Sequence, residues 1–133
     1  MIDWIFKKNN EKAKQAFQEN YSLYDYILTT LNIIFQHRQF YANVLLSDYQ
    51  KSVSPGPFEQ GIINSIQEIE LHSNQGRMST EQWDSLIFFA FGAKGMVMHW
   101  LSDKMRVNAE TMTGIILANM PPTLKAYLEN AHK

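Results

Sequence analysis

The chain has 133 residues, a formal net charge of −1, 45% hydrophobic residues and no cysteine. This length predicts a single domain with its own core, the balanced charge argues against a DNA-binding surface, and the lack of cysteine excludes disulfides and thiolate metal sites. Apolar runs look too short to span a membrane and the N-terminus does not resemble a secretory signal. We therefore expect a cytoplasmic protein with no membrane partner.

Apolar residues recur at helical spacing along nearly the whole chain. Strand signals are missing, because no segment alternates apolar and polar residues and no Asn-Gly turn occurs. The sequence thus predicts one all-α domain over residues 1–133, built from six or seven helices. The predicted helices cover residues 2–18, 21–36, 38–50, 57–74, 79–104, 109–119 and 123–131.

Short polar breaks with start and stop signals separate the predicted helices. In the segment SVSPGPF, residues 52–58, two prolines flank a glycine, which ends one helix and favours the start of the next. Ser79 and Gln82 have the spacing of a capping box, and Asn108 is the expected N-cap of the helix that follows it. The Pro-Pro pair that begins at Pro121 is expected to end or kink that helix.

The residues that usually carry catalysis or bind metals do not form a recognisable pattern. The four histidines are too far apart in sequence to pair on one helical turn: His37, His72, His99 and His132. Glu68 and His72 are four residues apart, which suits a salt bridge at a helix end better than a metal site. No Gly-x-Ser-x-Gly turn and no phosphate-binding glycine loop is present. We expect no catalytic residue, no metal, no cofactor and no enzymatic activity.

The stretch FFAFGAKGMVMHW, Phe88 to Trp100, is apolar nearly all round although it contains two glycines. A helix of this kind is buried on more than one side, and small residues allow a second helix to come close. Either a second subunit packs here, with TMTGIILANM as its other surface, or the glycines admit a neighbour from the same chain. On the first reading, the predicted dimer interface comprises Gly92, Ala93, Gly95, Met96, Trp100, Met112, Ile115, Ile116 and Asn119.

Three passages resemble the C-terminal half of regulators of the TetR/AcrR family. They are MIDWIFKK at residues 1–8, LTTLNIIFQHRQFYANVL at 28–45, and the long stretch from Phe88 to Met120. They are similar to the family's linker helix, its sharp turn between two helices, and its closing helix pair. The nearest resemblance is to a branch common in low-GC Gram-positive bacteria (Firmicutes), which includes an activator-type regulator of dihydroxyacetone kinase genes.

The resemblance implies a helical bundle that binds a small effector and dimerises through its last two main helices. Residues 1–18 would then be the linker helix from a helix-turn-helix domain. That domain is missing from this sequence, either because the chain is a fragment or because the regulator has no DNA reader. This chain alone is expected not to bind DNA.

The effector is expected to be small and apolar or amphipathic, because the chain is rich in aromatic residues and methionine. Lys94 could tether an acidic effector group, face solvent or lie in the interface. By helical position, the candidate pocket residues are Tyr24, Leu28, Leu31, Phe35, Tyr41, Ile62, Ile66, Phe91 and Met98. The alternative function is a stand-alone helical homodimer that serves as an interaction protein and has no small-molecule ligand.

Overall fold

A computed structural model describes residues 8, 9, 11, 12, 15, 22–46 and 55–131. Within these residues the chain is helical and has no strand, which confirms the predicted all-α class. Six helices are bounded there, and we number them in chain order. They are α1 (Leu23–Gln36), α2 (Arg38–Leu45), α3 (Pro57–Leu71), α4 (Thr80–Ser102), α5 (Ala109–Ala118) and α6 (Pro122–Asn130).

The helix boundaries follow the predicted signals closely. Ser79 accepts a hydrogen bond from the Gln82 N–H at 3.2 Å, and the Gln82 side chain accepts one from the Ser79 N–H at 2.8 Å. This confirms the capping box at the start of α4. Asn108 caps α5 by accepting a hydrogen bond from the Thr111 N–H at 2.7 Å. Such caps matter because the first N–H groups of a helix have no partner within it.

Two of the predicted ranges lie partly outside the described residues. In the predicted linker helix over 2–18, the described positions 8, 9, 11, 12 and 15 are helical. The predicted helix over 38–50 is seen as α2, and residues 47–50 lie outside the description. The sharp turn between α1 and α2 is confirmed, since only His37 separates them.

The core lies between two sets of packed helices. In one set α1 packs against α5, and in the other α4 contacts α2, α3 and α6. Leu86, Ala90, Val97 and Trp100 bury one side of α4. The Trp100 indole N–H donates to the Val107 carbonyl at 2.7 Å, so the largest core side chain also ties α4 to the segment that leads into α5.

The segment between α3 and α4, residues 72–79, is held from both sides. The buried Glu70 carboxylate accepts a hydrogen bond from the Met78 N–H at 2.6 Å. From α6, the Tyr127 hydroxyl donates to the Gly76 carbonyl at 2.6 Å, and the Asn74 N–H donates to the Ala131 carbonyl at 3.2 Å. The C-terminal helix is therefore fastened to the loop that precedes α4.

The turn between α4 and α5 contains two consecutive non-glycine residues in the left-handed region. Lys104 has φ 58° and Met105 has φ 53°. The turn is closed by the Met105 N–H, which donates to the Trp100 carbonyl at 2.8 Å. Nearby, a hydrogen bond from Arg106 lowers the pKa of the exposed Asp103 carboxyl. Left-handed backbone costs a residue with a Cβ about 1–2 kcal/mol, so this turn is strained.

We predict that Lys104→Gly stabilises the protein by about 0.5–1 kcal/mol, because glycine adopts positive φ without a steric cost. The free energy of unfolding would be measured by urea titration followed by circular dichroism. The matched control is Gln67→Gly, at an exposed position inside α3, which should destabilise by about 0.5–1 kcal/mol. If both substitutions destabilise equally, the left-handed turn is not a source of strain.

Candidate functional site

A small apolar cavity lies where α1, α3, α4 and α5 meet. Its wall includes Tyr26 and Leu31 from α1, Ile62 from α3, Phe89 from α4 and Ile116 from α5. The volume is about 30 Å³, whereas ligand pockets usually measure about 300–1,000 Å³. In this conformation the cavity has room for little more than a water molecule, so a larger occupant requires the helices to separate.

The predicted pocket residues do not all converge on this cavity. Leu31 and Ile62 line it. Tyr41 and Ile66 are buried elsewhere in the core, and Leu28 and Met98 are half-buried. Three aromatic or phenolic side chains from the predicted set are instead exposed by more than a third: Tyr24, Phe35 and Phe91.

The cavity wall also contains residues that the sequence prediction left out of the pocket. Tyr26, Thr30 and Phe58 are among them. Tyr26 and Thr30 are four residues apart, on the same face of α1 as the buried Ile27, Leu31 and Ile34. The helical period alone could therefore have identified Tyr26 and Thr30. The predicted pocket also included Tyr24 and Phe35, which lie on the exposed side of α1.

The hydroxyl groups beside the cavity are hydrogen-bonded within the protein. The Thr30 hydroxyl donates to the Tyr26 carbonyl at 2.9 Å. Burial raises the pKa of the Tyr26 hydroxyl to about 12, and its hydrogen bond with Ser65 lowers it in part. Tyr26 is therefore a neutral phenol at any physiological pH, and it links α1 to α3.

A buried ion pair joins α3 to α4 close to the cavity. The Lys94 ammonium lies 3.1 Å from Oε2 of Glu59, and their side chains are 13% and 0% exposed. The same oxygen accepts a hydrogen bond from the Gly56 N–H at 3.0 Å, which caps the start of α3. The other carboxylate oxygen, Oε1, is buried and has no hydrogen-bond partner. Lys94 is therefore mostly buried and does not simply face solvent.

The outer side of α4 carries an exposed apolar stripe. Phe88 is 73% exposed, and Gly92 and Gly95 follow it at helical spacing on the same side. Next to the stripe, a surface groove of about 270 Å³ runs between α4 and α5, with Met96 and Ile115 in its walls. A stripe of this composition is usual where another protein surface packs.

The predicted interface residues divide into two groups. Gly92, Gly95, Ile115 and Asn119 are exposed, and Ala93 and Met96 are half-buried beside the groove. The other three are buried inside the chain and can support this surface only from beneath: Trp100, Met112 and Ile116. The sequence pattern could not separate these groups, because both faces of α4 are apolar.

The two glycines of α4 have no neighbour inside the described part of the chain. A Cβ atom added at Gly92 or Gly95 would meet no atom within 4 Å. The alternative that these glycines admit a bulky neighbour from the same chain therefore has no support there. What they leave open is the outer surface.

Two further features concern the expectations that the chain binds no metal and that its apolar runs are too short to span a membrane. Among the residues that the structure describes, no group of three or more His, Asp or Glu side chains could hold a metal ion. Helix α4 is long and apolar enough to cross a membrane by length and composition alone. The core helix of a water-soluble protein meets the same criterion, so this is weak evidence for a membrane span.

The class of protein is that of the C-terminal regions of transcription regulators. Residues 21–121 match the family described as "Transcriptional regulator C-terminal region", of the TetR type. The chain belongs to this family of TetR regulator C-terminal domains. No curated protein and no solved structure matches the chain.

We predict that Lys94→Met destabilises the protein by about 3 kcal/mol, because it leaves the buried Glu59 carboxylate without its counter-charge. The free energy of unfolding would be measured by urea titration. Lys12→Met, at an exposed helical position, is the matched control and should change stability by less than about 0.5 kcal/mol. Equal effects of the two substitutions would contradict the buried ion pair.

Proposed function

We propose that this chain is the effector-binding and dimerisation domain of a cytoplasmic TetR-like regulator. In this proposal it controls DNA binding by a helix-turn-helix domain that lies outside these residues. Membership of the family supports the regulatory role, and the observation that carries the proposal is the open apolar face formed by α4 and α5. Placement in the branch with the dihydroxyacetone-kinase activator rests on the three motifs alone.

The homodimer would form through the stripe Phe88, Gly92 and Gly95 together with the outer side of α5. The stripe combines a protruding aromatic ring with two positions that have no side chain, so the surface has both a knob and a trough. In a symmetric dimer the same patch is used twice, and each ring can meet the partner's trough. Each glycine lowers helix propensity by about 1 kcal/mol, a cost that close approach of the partner helix would offset.

The effector would enter the bundle where the closed cavity now lies. A ligand changes the equilibrium between two conformations only through its preference for one of them. A cavity of about 30 Å³ corresponds to the closed arrangement, and an effector that binds there would favour a wider separation of the helices. The proposed effector is small and apolar or amphipathic, in keeping with the apolar wall.

A route from the bundle to the linker helix starts at α2. The Asn9 side-chain amide donates a hydrogen bond to the Tyr41 hydroxyl at 2.5 Å. Tyr41 is buried in α2, and this helix contacts α4. Burial raises the pKa of the Tyr41 hydroxyl, so the phenol stays neutral and is held by Asn9. A shift of α2 relative to α4 would therefore move Tyr41, the hydrogen-bond partner of Asn9.

The second candidate is a stand-alone helical homodimer that mediates protein interactions without a small ligand. The small size of this cavity favours this reading, since the core is nearly filled in this conformation. The two functions share the dimer and differ in ligand binding. Only the regulator predicts that small apolar molecules perturb the methyl groups of Leu31 and Ile62.

We predict that Gly95→Leu weakens the dimer at least about tenfold in dissociation constant, equivalent to about 1.4 kcal/mol. The added side chain has room on the monomer surface but would fill the space that the partner needs. Sedimentation equilibrium would measure dimerisation, and circular dichroism would confirm that the helices remain. An unaltered dimer would contradict the proposed interface.

Two control variants separate interface effects from folding effects. Gly95→Ala should stabilise the helix by up to about 1 kcal/mol with a smaller effect on the dimer than leucine has. Glu129→Leu adds comparable apolar bulk at an exposed position of α6 and should leave dimerisation unchanged. If Glu129→Leu weakens the dimer as strongly as Gly95→Leu does, the interface lies elsewhere.

A further inference from the structure

We propose that the unpartnered Oε1 atom of Glu59 is the polar anchor for the effector, and that it accepts a hydrogen bond from a neutral hydroxyl or amide N–H group. This inference rests on the proposed function, because it names the chemical class of ligand that the bundle recognises. It concerns residues at the start of α3 and the middle of α4.

The two oxygens of the Glu59 carboxylate have different roles. Oε2 accepts hydrogen bonds from the Gly56 N–H at 3.0 Å and from the Lys94 ammonium at 3.1 Å. Oε1 is equally inaccessible to water and accepts none. Helix capping and the ion pair therefore use one oxygen and leave the second with its hydrogen-bonding capacity unused.

Capping does not require this glutamate to be buried. In α4 the residue at the same position, Gln82, caps Ser79 while remaining partly accessible to solvent. At Glu59 the carboxylate is 0% exposed, and a buried acceptor without a donor destabilises the folded state. A ligand that supplies the donor would recover that free energy, which gives a reason for selective binding here.

Glu59 and Lys94 are not themselves part of the cavity wall, but residues next to them in the chain are. Phe58, directly before Glu59, and Ile62, three residues after it, both line the cavity. On α4, Ala93 lines it and is followed directly by Lys94. An effector whose apolar part widened this cavity between α3 and α4 would have its polar end within one helical turn of Glu59.

The charge of the pair determines which donor fits. Lys94 already supplies a positive charge at hydrogen-bond distance from Glu59, so the pair is neutral as a unit. An ammonium ligand would place a second positive charge beside Lys94, and a carboxylate ligand would compete with Glu59 for it. A neutral hydroxyl or amide avoids both penalties and still satisfies Oε1.

The test uses the full chain and three probes that share one hydrocarbon chain: 1-butanol, n-butylammonium and butyrate. Glutamate carboxyl carbons would be labelled with ¹³C, and the Glu59 resonance followed by NMR during titration. We expect 1-butanol to shift this resonance saturably and to bind about tenfold more tightly than either charged probe. It should also raise the melting temperature, because a ligand that binds the folded state stabilises it.

Two variants complete the experiment. Glu59→Met, which removes both carboxylate oxygens, should abolish the increase in melting temperature caused by 1-butanol, whereas Glu110→Met, at an exposed position in the first turn of α5, should keep it. If Glu59→Met does not fold, the ¹³C titration of the unmodified chain still decides the question.

The proposal is overturned if the Glu59 resonance does not respond to 1-butanol, if n-butylammonium binds more tightly than 1-butanol, or if Glu59→Met binds 1-butanol unchanged. These outcomes are distinct from failure of the proposed function. Probe-induced shifts at the Leu31 and Ile62 methyl groups that are independent of the head group would retain an effector pocket and reject only the Glu59 anchor.

Discussion

The packing of α4 on several sides at once is the constraint on which the other helices depend. One side of this helix is buried through Leu86, Ala90, Val97 and Trp100. It contacts α2, α3 and α6, and Trp100 extends its influence to the segment before α5. Because a core is close-packed, a change in the position of α4 has to be accommodated by each of its neighbours. In the proposed regulator, α4 would therefore couple the effector cavity to the dimer interface.

Two polar contacts in the described part of the interior join different helices. Tyr26 and Ser65 connect α1 with α3, and Glu59 and Lys94 connect α3 with α4. Replacing a buried ion pair with well-packed apolar side chains is often neutral or stabilising, so such a pair is weak evidence for stability as such. Its hydrogen bond does fix one relative position of α3 and α4. A ligand that competed for Glu59 or Lys94 would change that position.

Much of the fold could be predicted from the sequence, because helix boundaries are local. The capping box at Ser79, the N-cap at Asn108 and the single-residue junction at His37 depend only on neighbouring residues. Assigning individual residues to pocket, core or surface requires the tertiary contacts as well. Trp100, Met112 and Ile116 are core residues, yet they have the same apolar character as the exposed stripe, and periodicity cannot say which face of α4 meets solvent.

The buried ion pair could not be predicted for a different reason. Glu59 and Lys94 are 35 residues apart in sequence, and nothing near either residue marks it as a partner. Glu59 looks like an ordinary first-turn glutamate, and Lys94 looks like an interruption of an apolar helix. Only the approach of α3 to α4 explains both, since it removes the two charges from solvent together.

The attachment of α6 to the loop before α4 divides the domain mechanically. The Tyr127 hydroxyl reaches the Gly76 carbonyl across 51 residues of sequence, so α4 and α5 lie within a loop closed at its base. Together with the bonds from Glu70 and Asn74, this closure resists a swing of that helix pair away from α6. The contacts of α1 with α5 and of α2 with α4 lie outside this closure. If the proposed effector separates helices, we expect the movement at these contacts and not at α6.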